Sequence, residues 1–157
     1  MPNYVTERRV KHPAQDMFDL VADVGSYPLF VPLCEKLVVR GRAKDGGNEI
    51  LVADMTISFK LIRETFTSRV VLDRQNLKIS VEYLEGPFSH LENLWSFVPL
   101  SEGESTVHFS IDYAFGSRAL GAVMGAVFDK AFRKFAQAFE DRADDIYGKT
   151  TAAVSVK

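Results

Sequence analysis

Phe128-Asp129-Lys130-Ala131-Phe132-Arg133-Lys134-Phe135-Ala136-Gln137-Ala138-Phe139-Glu140-Asp141 carries phenylalanine at successive spacings of four, three and four residues. Those spacings return to one face of an α-helix, with Lys130, Arg133, Lys134, Gln137 and Asp141 opposite. An apolar stripe with a charged back needs a broad apolar partner to lie against. The helix extends back to Arg118, where Ser117 suits the N-cap, and forward to Gly148, which suits the stop. About 30 residues give a rod of roughly 45 Å.

The half of this helix before Phe128 has a different character. Ala119-Leu120-Gly121-Ala122-Val123-Met124-Gly125-Ala126-Val127 bears no charge on any face. It is expected to be buried all round, or to meet a partner, a lipid surface or a second copy. Gly121 and Gly125, one turn apart, would let a neighbouring backbone approach closely, each at a helix cost of about 1 kcal/mol relative to alanine. The other reading is a movable gate over a cavity, with Met124 among its lining.

The surface that the stripe covers is encoded upstream. Leu51, Ala53, Met55, Ile57, Phe59 and Leu61 alternate with Val52, Asp54, Thr56, Ser58 and Lys60, the period of a strand with one apolar face. Turn signals at 45–47, 73–76, 85–87 and 101–104 separate further runs. Seven strands are expected, at 4–11, 34–42, 51–61, 63–73, 77–85, 90–99 and 105–115. Short connections make the sheet an antiparallel meander. After the first strand, Pro13 suits the first turn of a short helix marked by Met17, Phe18, Leu20 and Val21. Gly25-Ser26 ends it, and Tyr27-Pro28-Leu29-Phe30-Val31-Pro32 allows one more brief helical turn.

The fold class is therefore α+β. Alternation assigns Leu77, Ile79, Val81 and Tyr83, then Leu91, Asn93, Trp95 and Phe97, then Val107, Phe109, Ile111, Tyr113 and Phe115 to the inner face. With Phe128, Phe132, Phe135 and Phe139 above, this is either solid core or the lining of an apolar cavity. Asn93, Tyr83 and Tyr113 bring polar atoms there, and these either bond within the protein or orient a ligand's polar head.

Composition bounds the function classes. The chain has 157 residues, 46% hydrophobic and 25% charged, with a formal net charge of −2. That suits one domain over 1–148, followed by a disordered tail at 149–157, and gives no overall attraction to nucleic acid. Cys34 is the only cysteine and is expected to be a buried structural thiol. No signal-peptide order is present, and the longest apolar stretch falls short of the roughly 20 residues of a spanning helix. His12, His90 and His108 stand apart, and no metal-site spacing, phosphate loop or nucleophile elbow occurs. A non-enzyme is expected, with no required cofactor.

Four strings carry a resemblance. Val21-Ala22-Asp23-Val24-Gly25-Ser26-Tyr27-Pro28-Leu29-Phe30-Val31-Pro32-Leu33-Cys34, Phe66-Thr67-Ser68-Arg69-Val70, Gly86-Pro87-Phe88 with Leu91, Trp95 and Phe97, and Ala138-Phe139-Glu140-Asp141-Arg142-Ala143 occur in register. They resemble the coenzyme Q-binding branch of the START-like, polyketide-cyclase-like superfamily, which often has Trp where this chain has Leu33. The resemblance implies a helix-grip fold, a curved seven-stranded sheet wrapped around the long helix with a hydrophobic cavity between. It places Tyr27, Phe30 and Val31 at the mouth or wall of that cavity. It also implies a carrier of a polyprenyl quinone such as ubiquinone, supporting respiration. The alternative is a toxin-like protein that binds the large ribosomal subunit and blocks subunit association.

The cavity residues expected under this reading are Tyr27, Phe30, Val31, Met55, Phe59, Tyr83, Asn93, Trp95, Phe97, Phe109, Ile111, Tyr113, Met124, Phe128, Phe132 and Phe135. The ribosomal alternative needs a basic patch, for which Arg8, Arg9, Lys11, Lys36, Arg40, Arg42 and Lys44 are available. The expected location is the cytoplasm, with peripheral contact at the inner membrane, and an oligomer stays open.

Overall fold

The computed structural model describes residues 3–148, so the tail expected at 149–157 lies outside the described residues. One sheet contains β1 (Asn3–Val10), β2 (Cys34–Asp45), β3 (Asn48–Phe59), β4 (Ile62–Asp73), β5 (Lys78–Glu85), β6 (Phe88–Ser101) and β7 (Glu104–Phe115). Their spatial order is β1-β7-β6-β5-β4-β3-β2, with every neighbouring pair antiparallel. Between β1 and β2 lie α1 (Ala14–Ala22) and a 3-10 turn (Val24–Leu29), and α2 (Arg118–Tyr147) follows β7. This is the helix-grip arrangement, with the sheet curved around α2.

The caps explain the limits of α2. The Ser117 hydroxyl accepts from the Leu120 amide at 3.2 Å, and Gly148 takes φ +78° while donating to Asp144 O at 3.0 Å. Two other boundaries move. Pro13 caps α1 from just outside it, and the break comes at Asp23, so Gly25-Ser26 belongs to the 3-10 turn rather than ending the first helix. β3 stops at Phe59, and Lys60 adopts φ +57° in a two-residue hairpin that leaves Leu61 fully exposed. The expectation that Leu61 continues the apolar face fails because alternation holds only while the ladder does.

The two halves of α2 are held differently. Near the C-terminal end, Arg8 Nε donates to Glu140 at 2.5 Å, His12 Nε2 lies 2.7 Å from Asp144, and the Tyr147 hydroxyl donates to Asp16 O at 3.2 Å. No side-chain hydrogen bond or ion pair among the described residues joins residues 118–128 to the sheet. That half is held by apolar packing, with Met124 and Phe128 buried and Leu120 and Val127 partly buried against the core.

Candidate functional site

Strands lie about 4.8 Å apart, so seven of them are far broader than one helix of roughly 10 Å. α2 settles over β7 and β1, leaving the inner faces of β3, β4 and β5 to be closed by curvature and by the 3-10 turn. A cavity of about 90 Å³ remains there. Small side chains make the room. Ala53 and Ser68 are register partners on β3 and β4, and Ala131 faces them from α2, among larger neighbours such as Phe66, Val70 and Phe139.

Of the residues expected from sequence, Tyr27, Met55, Asn93, Trp95, Ile111, Phe128, Phe132 and Phe135 are brought together in the lining. Phe59 instead lines an outer groove of about 390 Å³ with Ala126, Val127, Lys130 and Lys134. Cavity and groove share Pro32, Leu33 and Ala131, so these three residues form the partition between them. Leu33 holds φ +66°, a conformation unusual for a branched side chain, and its carbonyl accepts from the Ser58 amide at 3.0 Å.

The remaining expected residues form the wall behind the lining. Phe97 stacks on Trp95 and meets Phe18 edge-on, and Phe109 packs among Tyr4, Trp95 and Phe135. Tyr113 lies against Phe132, and Tyr83 between Phe66 and Phe88. Val31 and Met124 are buried, while Phe30 packs against Tyr27 and Phe139 under the Arg142 guanidinium. Sequence reasoning missed Ala53, Ser68 and Ala131, and their signal was small size at inward positions.

Most polar side chains near the cavity bond within the protein. Asn93 Nδ2 donates to Ser110 O at 2.9 Å, and its Oδ1 accepts from Trp95 Nε1 at 3.1 Å. The Tyr27 hydroxyl donates to Val21 O at 2.5 Å, and burial, reinforced by Asp23, pushes its pKa far above the ordinary phenol value. Tyr83 Oη accepts from the Phe88 amide at 2.9 Å. The Tyr113 hydroxyl is buried without a hydrogen-bond partner among the described residues, but it sits outside the lining. Burial pushes the Cys34 thiol up to about 11, so it is protonated at neutral pH. Among the described residues no cluster of His, Cys, Asp and Glu could hold a metal ion. What the arrangement offers is apolar enclosure, with the polar groups of Tyr27, Asn93 and Trp95 bonded within the protein.

Two surface expectations change. The basic residues do not form one patch, because β1 and β2 are opposite ends of the sheet order. Arg8 pairs with Glu140, Arg9 with Glu104 at 3.1 Å, and Lys11 also has an interaction partner. Only the β2 set, Lys36, Arg40, Arg42 and Lys44, shares one exposed strand, where Arg40 and Arg42 reach Asp54 and Glu49 at 3.6 and 3.9 Å. Nor is the uncharged half of α2 buried all round. Met124 points inward while Ala119, Ala122, Val123 and Ala126 face out. A Cβ on Gly125 would meet nothing within 4 Å, and one on Gly121 would make ordinary contact with Phe115 at 3.6 Å, so no backbone of this chain approaches closely there.

Comparison with known proteins adds sequence relationships to this geometry. Residues 10–140 match the family described as polyketide cyclase / dehydrase and lipid transport. The chain is 32% identical over 147 residues to the ribosome association toxin RatA of Escherichia coli K12, covering 94% of this chain and 90% of that protein. It is 28% identical over 139 residues to the mitochondrial coenzyme Q-binding protein COQ10 homolog B of Xenopus laevis, covering 86% of this chain and 55% of that protein. The solution structure of an 18 kDa protein from Caulobacter crescentus matches with a TM-score of 0.75 and 34% identity, over 94% of this chain and 99% of that one. No helix of the described residues is long and apolar enough to cross a membrane.

Proposed function

We propose, for a chain that belongs to the polyketide cyclase / dehydrase and lipid transport family, that it is a non-catalytic binding protein which associates with the large ribosomal subunit. The observation that carries this reading is the nearly end-to-end similarity to RatA, which extends over far more of that protein than the similarity to the COQ10 homolog does. The exposed basic edge of β2 supports it. Arg40 and Arg42 hold their carboxylates loosely, and phosphate oxygens would compete for both guanidinium groups. Co-sedimentation with purified subunits tests it. Pelleting with the large subunit at about 50 mM salt that falls steeply by about 200 mM is expected, and no pelleting at low salt would remove it.

The cavity favours a second reading, capture of an apolar molecule such as a polyprenyl quinone. About 90 Å³ suits one ring better than a long tail, so a tail would leave past Leu33 along the outer groove. Lipid extraction of the purified protein followed by mass spectrometry tests this. Finding no lipid, together with no uptake of added ubiquinone, counts against it.

A further inference from the structure

We propose that the face formed by the β3–β4 hairpin tip and the outer side of α2's first half docks on an anionic lipid bilayer. Leu61 projects fully exposed from the hairpin, and Val123 is 60% exposed on α2. Val123, Val127, Lys130 and Lys134 recur at spacings of four, three and four, so they share one side of α2. The outer groove runs between this side and Phe59. The face is thus apolar at its centre, with lysines at its margin.

Its charge distinguishes it from a generic apolar patch. Lys130 and Lys134 line the groove, and Lys60 lies 5.3 Å from the centre of the Phe59 ring. None of the three has an ion-pair partner among the described residues, although the chain as a whole is net negative. Residues 118–128 contain no Asp or Glu, and Asp129 is held by Arg133 at 3.0 Å. Apolar side chains inserted below the headgroups with lysines at phosphate level are the arrangement an anionic bilayer rewards. An RNA surface would match the lysines and leave Leu61 and Val123 in water. Docking would turn the Pro32-Leu33-Ala131 partition toward the bilayer and give the cavity a dry route to a lipid. That use rests on the apolar-ligand reading, whereas docking itself does not.

Flotation of the full chain with phosphatidylcholine vesicles, with and without phosphatidylglycerol, tests the proposal. Binding is expected only to the phosphatidylglycerol vesicles, and Leu61→Asp and the double variant K130E/K134E should each weaken it by about tenfold or more. All three positions are solvent-exposed, so unchanged thermal unfolding serves as the folding control. Lys78→Glu, on β5 away from this face, should bind like the parent chain. Absence of binding to the anionic vesicles overturns the proposal, as does equal loss in Lys78→Glu. Loss of ribosomal pelleting in K130E/K134E without vesicle binding would assign the face to RNA. Lipid extraction keeps the two ideas separate: a loaded cavity without vesicle binding sinks docking alone, and vesicle binding with a cavity that never loads sinks the ligand reading alone.

Discussion

Trp95 Nε1 donates to Asn93 Oδ1 at 3.1 Å while Asn93 Nδ2 donates to Ser110 O at 2.9 Å, so one amide ties neighbouring strands and satisfies a buried indole. Asn93→Ala therefore leaves the Trp95 N–H unpaired, at a cost of about 1–3 kcal/mol. Urea denaturation should show a lower midpoint with an unchanged slope, and the result of lipid extraction should be the same as for the parent chain. Lost ligand at unchanged stability would show instead that Asn93 reads the ligand.

Gly86 is sterically required. A Cβ there would lie 2.5 Å from Phe66 Cβ and 2.9 Å from Phe66 Cα, with φ at +147°. Neither atom is the end of a flexible side chain, so Gly86→Ala must displace β4 or the turn. A loss of about 2–3 kcal/mol is expected, read as a melting temperature lower by roughly 5–10 °C. A melting temperature within a degree of the parent would show that the turn gives way at no cost.

Period and punctuation made the fold legible, while the cavity was legible only in part. Inward parity places Trp95, Ile111 and Tyr113 on the same face. It says nothing about where along that face the helix lies. α2 covers β7 and β1, and along β7 Phe109 and Tyr113 pack as wall while Ile111, paired with Asn93 on β6, reaches the lining. Room also comes from what is missing at Ala53, Ser68 and Ala131, which an apolarity pattern scores as weak core. Leu61 and Arg8 show the same limit. Leu61 lies just past the end of a ladder, and Arg8 sits among edge-strand charges yet bonds to α2.

Gly125 weakens α2 with no steric need inside this chain. Gly125→Ala should raise stability by about 1 kcal/mol, measured by chemical denaturation. If the same variant also slows ubiquinone uptake, flexibility of the first half of α2 is what the glycine provides. Raised stability with unchanged uptake would leave the gate without support.

The buried Cys34 thiol predicts a loss of stability on the alkaline side. Its folded pKa, raised by desolvation to about 11 from an unfolded value of 9.0, means the native state keeps a proton that the unfolded chain releases. Stability from this group is fully present below about pH 9 and declines as pH rises toward 11. Raised tyrosines such as Tyr27 act in the same direction at higher pH, so the test is a difference. Between pH 9 and 11 the parent chain should lose more stability than Cys34→Ala, and parallel curves would contradict the assignment.

Ala131 separates the cavity from the groove, and its substitution distinguishes a used cavity from a packing defect. Ala131→Leu adds three carbons directed at unfilled space. The usual overpacking penalty of about 1–3 kcal/mol should thus be largely offset by new apolar burial, leaving stability within about 1 kcal/mol of the parent. Occupancy should respond far more. Ubiquinone uptake, followed by quenching of Trp95, the only tryptophan and a lining residue, should fall by at least about tenfold, the equivalent of roughly 1.4 kcal/mol. Vesicle flotation should be unchanged, because Ala131 is buried at the groove's inner wall and the exposed Leu61, Val123, Lys130 and Lys134 are untouched. Full uptake in a stably folded Ala131→Leu would mean that the ligand, if there is one, lies elsewhere.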